Sequence, residues 1–410
     1  MEVPNVLKRV VITGMGIVNP SGIGKEEFWN KVSRGESALR QITRFDVSQF
    51  PVQVAGEITD FQADDFIPRR FKVKTDLFTH YALAAAQLSL ADGDVDLQQE
   101  DLHRVGVFLG NNAGGWDICE RGFYELYKQG ASYVNPWQAT AWFPTAPQGF
   151  ITIRHGIKGY SKSFVCDRAS GACGIYFGVR SIQMGYNDLV LTGGTEAPLT
   201  PFGMTCYYET GDLAAAKTPE GAYQPFDQES NGIVLGEGST ILILEELEHA
   251  RARNARIYGE VIATSMTTDH NPEQGLAMQK GIRKALSQAE LTPDDIDIVF
   301  AEGSGCRTSD RVELESLEEV FDQTQVTVPK SMYGHLYGAS GATELACALL
   351  AMETGVVPPT INLKKPLTSD SLEIVQEPLM CQVSHALVQS RAREGVNVSI
   401  IIRSFTDQDQ

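Results

Sequence analysis

Apolar residues in this chain fall into two kinds of stretch. Short unbroken runs at Arg9–Thr13, Val105–Leu109, Asp188–Thr192, Ser239–Leu244, Tyr258–Ser265, Ile296–Ala301, Gln325–Val328 and Val396–Arg403 read as buried strands. Stretches with apolar residues every three or four positions predict helices at Lys25–Arg34, Asp76–Leu90, Trp116–Tyr127, Gln148–Ile157, Glu245–Arg256, Pro272–Ala289, Asp310–Phe321 and Ala342–Thr354. Residues 35–65 read as loop-rich, and Pro201–Asp212 as a loop. Gly14 and Gly16 read as a tight turn after the first strand, since no GxGxxG follows. Strands alternating with helices predict a layered α/β fold. The alternation restarts near residue 250, which predicts two similar halves, 1–250 and 251–410, related by duplication. Thr406–Gln410 reads as a polar tail.

Composition narrows the function classes. The 410 residues carry a formal net charge of -18, so a non-specific nucleic-acid binder is excluded. No apolar run approaches the roughly 20 residues that span a bilayer. Met1–Arg9 lacks a signal-peptide pattern. The seven cysteines are scattered without a CxxC pair, which reads as reduced thiols of a cytoplasmic protein. The seven histidines show no metal-ligand spacing, so no metal is expected. One dense basic run, Ile67–Lys74, holds Arg69, Arg70, Lys72 and Lys74. It is either a solvated face or a docking patch for an anionic partner.

Three turns after buried strands are candidates for chemistry, because strand ends of one α/β sheet commonly converge. Phe164–Ser170 (FVCDRAS) leads into a helix opening with Gly171, Ala172 and Gly174, a shape that often presents a nucleophile at a helix N-terminus. The residue at the position expected for a nucleophile is Arg168, which cannot attack a carbonyl. Ala301–Gly305 supplies Glu302, and the stretch from Lys330 supplies Lys330 and His335. A lone histidine such as His335 is more often structural. Trp116, Cys119, Phe123 and Tyr127 share one helix face, which either packs in the core or lines a cavity or subunit interface. Trp137, Trp142 and Phe143 add further rings.

Residues 330–341 (KSMYGHLYGASG), Gly193–Glu196 (GGTE), Phe226 with Asp227, and Val357–Asn362 (VPPTIN) occur in the order found in β-ketoacyl synthases, and the chain resembles that thiolase-like family from Val10 to about Arg403. The resemblance implies a thiolase-like αβαβα fold. Such enzymes hold an acyl chain on a cysteine and use two histidines to decarboxylate a malonyl group on an acyl carrier protein. Here the cysteine position falls at Arg168 and the first histidine at Glu302. The second histidine is kept as His335 and the motif lysine as Lys330. The gating-phenylalanine loop is replaced by Gly395–Ser399 (GVNVS). Arg168 and Glu302 are expected to form a buried ion pair.

Residues 114–143 and 151–159 narrow the resemblance to the chain-length factor, the ketosynthase-β subunit of type II polyketide synthases. These subunits usually carry Gln at the nucleophile position, where this chain has Arg. The resemblance implies a heterodimer with a catalytic ketosynthase and a tunnel for the polyketide intermediate, walled by Trp116, Cys119, Phe123 and Phe202. It implies no cofactor of the chain's own, since phosphopantetheine arrives on the acyl carrier protein. Carrier docking would use the partner or the patch of Arg69, Arg70, Lys72 and Lys74. Alternative readings are a malonyl-carrier decarboxylase using Lys330 and His335, a purely structural partner, and an active condensing enzyme relying on Cys166 or Cys173.

Overall fold

Strand side chains alternate between two faces, and a sheet apolar on both faces must be covered by helices on both sides. The computed structural model describes residues 7–367, 369 and 371–405, so the expected tail at 406–410 lies outside the described residues. Its main sheet is built on β1 (Val10–Asn19), β2 (Val105–Gly110), β3 (Lys162–Phe164), β4 (Leu189–Glu196), β5 (Gly238–Glu246), β6 (Gly259–Thr268), β7 (Ile298–Phe300), β8 (Thr324–Thr327), β9 (His385–Arg391) and β10 (Val396–Ser404). The principal helices are α1 (Leu77–Asp92), α2 (Trp116–Tyr124), α3 (Ser170–Gln183), α4 (Pro201–Tyr208), α5 (Leu276–Ala289), α6 (Arg307–Glu318) and α7 (Ser340–Thr354).

The strands run β8-β7-β9-β10-β6-β1-β5-β4-β2-β3, with Leu372–Ile374 added beyond β8. Both halves repeat one pattern. Numbered within its own half, each runs third, second, fourth, fifth, first. The third–second and second–fourth pairs are parallel, and the remaining pairs antiparallel. The halves meet where β1 pairs antiparallel with β6, Val10 opposite Val261.

Period-two alternation sorts the core into layers. Phe108, Leu242, Leu244, Ile400 and Ile402 face a central core with Cys173, Ile175 and Val179 of α3 and Leu345 and Leu349 of α7. Val107, Leu109, Ile241 and Ile243 face the opposite way, onto α1. Val299, Val326, Leu387 and Ile401 likewise face α5 and α6. The layers are helix, sheet, two central helices, sheet, helix, which is the thiolase-like arrangement.

Several expectations are corrected. Gly14 and Gly16 make no turn. They lie inside β1, next to a bulge, because a Cβ on Gly16 would sit 1.9 Å from the Ala85 carbonyl oxygen of α1. Gly193–Glu196 continues β4 instead of following it. Pro201–Asp212 is mostly helix, since Pro201 starts α4 and the Thr200 hydroxyl accepts from the Gly203 N–H. The helix expected over Glu245–Arg256 shrinks to Leu247–Ala252, because Glu245 and Glu246 finish β5. The 116–127 helix ends at Tyr124 and passes into one π-helical turn, Glu125–Gln129. β9 was not anticipated. Its end, Gln389–Arg391, is polar in sequence yet buried.

Candidate functional site

The turn after β3 is stapled by its own side chains. The Ser170 hydroxyl accepts from the Cys166 N–H at 2.9 Å and donates to the Asp167 carbonyl at 2.6 Å. Asp167 takes a positive φ of 48°, a conformation that Asp tolerates better than most residues. Gly171 opens α3 against the second half, since a Cβ there would sit 2.4 Å from the Gly338 carbonyl oxygen. The sharp turn that could present a nucleophile is therefore intact, with Arg168 on it.

Arg168 is only 3% exposed. A cation just ahead of a helix N-terminus opposes the helix dipole. Its Nε donates to Asp167 Oδ2 at 3.3 Å, while its Nη1 is buried without a hydrogen-bond partner. Burial disfavours the guanidinium charge, but Asp167 and then Glu302 outweigh that and raise its pKa. The expected direct ion pair with Glu302 is not formed. Asp167 takes the guanidinium instead, and Glu302 acts on it only through its field.

Glu302, Lys330 and His335 do meet. The Tyr337 N–H donates to His335 Nδ1 at 2.9 Å, so the ring proton sits on Nε2 and is donated to Glu302 Oε1 at 2.6 Å. Burial lowers the His335 pKa and keeps the ring neutral. Lys330 Nζ lies 3.4 Å from Glu344 Oε2 and 3.9 Å from Glu302 Oε2, and donates to the Ala301 carbonyl at 3.2 Å. Burial favours a protonated Glu302, yet Lys330, then His335 and Arg168, overcome it and hold the pKa near 2. Glu344 is different: burial pushes it up to about 7 although Lys330 opposes this. The result is a closed charge network in which the one histidine N–H is already bonded to a carboxylate.

A chain of ring contacts leads away from this network. His335 and Tyr337 are 5.1 Å apart between centroids, Tyr337 and Tyr207 4.6 Å, Tyr207 and Trp116 6.4 Å. Trp116 meets Phe202 at 5.4 Å, and Phe202 meets Phe123 at 5.4 Å, both edge-on. The helix face holding Trp116, Cys119 and Phe123 runs from core to surface: Trp116 is half-buried and packs against a core cluster, Cys119 is half-buried, and Phe123 is exposed. Phe123 is 42% exposed and Phe202 39%. Tyr124, Tyr127, Trp142 and Phe143 are exposed nearby, an apolar patch of the kind that marks a partner surface.

The basic run is partly spoken for. Lys72 is paired with Asp64, Lys74 lies 4.6 Å over the Trp137 ring, and Arg70 lies 5.0 Å over Phe71. Arg69 sits exposed in the same short helix, Arg69–Lys72. All seven cysteines are free. Cys173 is buried in α3, and a hydrogen bond with it lowers Cys166 to about 7. Among the described residues, no group of His, Cys, Asp or Glu could hold a metal, and no helix is long and apolar enough to cross a membrane.

Sequence reasoning missed Tyr207, Tyr337, Glu344 and Arg391. Tyr337 lies inside the motif around His335, so its ring was in plain view. Glu344 sits one turn into α7, and only the buried lysine at 330 calls for a second carboxylate.

Comparison with known proteins places this geometry in a family. Residues 7–250 match the N-terminal domain of β-ketoacyl synthase and residues 255–364 its C-terminal domain. The chain belongs to the β-ketoacyl synthase family. Within that family it is 37% identical to the tetracenomycin polyketide synthase ketoacyl synthase beta subunit of Streptomyces glaucescens, over 96% of this chain and 98% of that one. It is 34% identical to 3-oxoacyl-(acyl-carrier-protein) synthase 2 of Rhizobium meliloti, over 98% of this chain and 100% of the relative. Among solved structures, the ishigamide ketosynthase/chain length factor superposes with a TM-score of 0.90 at 28% identity, covering 98% of this chain and 100% of that one. A type II polyketide synthase acyl-carrier protein in complex with its ketosynthase bound to the hexaketide gives 0.87 at 25% identity, with coverage of 98% and 100%.

Proposed function

We propose that this chain is the non-condensing, chain-length-setting partner of an active ketosynthase in a type II polyketide synthase, working on chains carried by an acyl carrier protein. The observation that carries this is the buried arginine at the nucleophile turn. Thioester attack needs a thiolate or activated hydroxyl, and a guanidinium supplies neither. The family membership, the ketosynthase-β relative and the ketosynthase/chain length factor likeness support the partner role. No cofactor of its own is assigned, since the carrier protein brings phosphopantetheine.

Chain length is set sterically. A growing poly-β-keto chain extends until it meets a wall. Trp116, Phe123 and Phe202 pack edge to edge at the exposed end of the ring series, with Cys119 between the first two on α2, and form that wall at the partner surface. Carrier docking is assigned to Arg69, Arg70 and Lys74 together with the partner, since Asp64 already neutralises Lys72. A priming decarboxylase is disfavoured. Decarboxylation builds enolate charge that needs a free donor, and the His335 Nε2–H is taken by an ionised Glu302.

The test is product analysis with the partner ketosynthase. Trp116→Ala and Phe123→Ala should each give longer products from an intact complex. Unchanged product length in both variants overturns the steric reading. Release of carbon dioxide from malonyl-carrier protein by this chain alone would revive the decarboxylase.

A further inference from the structure

A cavity of about 580 Å³ lies between the two halves, beside the degenerate site and apart from the aromatic wall. Arg168, Arg391 and Arg393 line it, as do Thr308 and Ser309 in the first turn of the twelve-residue helix α6. None of Trp116, Phe123 and Phe202 touches it, so a ligand held in this cavity is independent of the chain-length reading.

Three observations converge there. Arg168 and Arg391 are each 3% exposed, and Arg168 Nη1 and Arg391 Nε are buried without hydrogen-bond partners. The Arg391 guanidinium is bonded only to backbone, at the Ser309 and Pro272 carbonyls, and no carboxylate lies within ion-pair distance of it among the described residues. Burial outweighs Glu313, Asp269 and Glu302, which act on Arg391 only through their field, so the guanidinium is incompletely compensated, which is costly. Finally, the first-turn amides of a helix have no intrahelical partners, and its N-terminus favours negative charge. The carboxylates in the lining do not meet this need: Asp212 is paired with Arg393 at 3.5 Å, and Glu273 forms no ion pair among the described residues.

We infer that this cavity is a binding site for a small free oxyanion, a phosphate or a short dicarboxylate, held by Arg168, Arg391 and the N-terminus of α6. One guanidinium on the turn after β3, one at the end of β9 and a helix end give donors from three directions. Oxygen atoms bearing spread negative charge match that arrangement, and a neutral ligand leaves Arg391 without a direct ion-pair partner. The turn that elsewhere in such a fold could present a nucleophile supplies a charge clamp instead.

The experiment is isothermal titration calorimetry of the full-length chain with inorganic phosphate and, separately, with malonate, at constant ionic strength and with sodium chloride as the control. Saturable one-site binding of at least one of them is expected, and the better ligand tells a phosphate source from a carboxylate source. Arg168→Gln should weaken that binding by roughly tenfold or more, the loss of one charge-assisted hydrogen-bond donor. Arg391→Gln should do the same. Arg256→Gln, on the exposed pair with Glu353, should bind like the parent chain. If Arg391→Gln does not fold, Arg168→Gln decides. Absence of saturable heat with both anions, or parent-like binding by Arg168→Gln, overturns the inference.

Discussion

Glu302→Gln keeps the shape of the buried network and removes its charge. Glu302 is fully buried and held near pKa 2, against 4.5 for a free glutamate. A depressed carboxylate contributes stability that is present above its unfolded pKa and is lost as pH falls through the folded one, here from about 4.5 toward 2. At neutral pH the shift corresponds to about 3 kcal/mol. The measured loss should be smaller, because Glu344 stands 3.4 Å from the same lysine and is kept near pKa 7 partly by repulsion from Glu302. Removing that repulsion completes the ionisation of Glu344, which then pairs with Lys330 more strongly. We expect Glu302→Gln to cost about 1–3 kcal/mol at pH 7.5. The double variant with Glu344→Gln leaves Lys330 with backbone carbonyls alone, so its cost should exceed the sum of the singles by about 1 kcal/mol or more. Urea unfolding of the four proteins, followed by circular dichroism at pH 7.5 and 5, measures the cycle. Strict additivity, or a Glu302→Gln chain as stable as the parent at both pH values, would falsify the coupled network.

Further outcomes can be checked separately. Arg168→Cys alone should not restore condensation, because His335 remains bonded to Glu302; Arg168→Cys with Glu302→His should gain acylation by an acyl thioester, read by mass spectrometry. Gly16→Ala should be severely destabilised or insoluble, since its Cβ would overlap a backbone carbonyl of α1, whereas Gly185→Ala meets no neighbour and should cost only about 1 kcal/mol for its positive φ. His249 is raised to about 9 by its hydrogen bond to Glu245, so its contribution is complete below pH 6.5 and fades as pH rises through 9. The stability gap between the parent and His249→Gln should therefore narrow over that range in thermal scans. Thr200→Ala removes the cap of α4 and should cost about 1 kcal/mol while loosening Phe202.

The strand–helix alternation was legible because β2, β4 and β5 are apolar on both faces, and such runs read the same in sequence as in the sheet. The glycines misled because Gly16 and Gly193 serve close approach within strands, which local sequence cannot tell from turn formation. β9 escaped because its last residues are polar and buried. The meeting of Glu302, Lys330 and His335 followed from their places after strands. The partner of Arg168 did not, because the nearest carboxylate is its own neighbour, Asp167, brought round by a positive φ. Exposure of the Phe123 face is likewise a tertiary property, since core and interface helices share one periodicity.

The pairing of β1 has a consequence for synthesis. Apart from the short hairpin with Gly22–Ile23, β1 first finds a sheet partner in β5. At about 5–20 residues per second, the ribosome needs roughly 10 seconds or more to make the intervening chain. For that interval an apolar ten-residue strand waits unpaired. Glycine weakens an isolated strand. Gly14 and Gly16, required later for contact with α1, therefore also make the waiting segment a poor template for pairing with other chains. A β-branched residue at either place would clash in the finished fold and would favour aggregation before the fold exists.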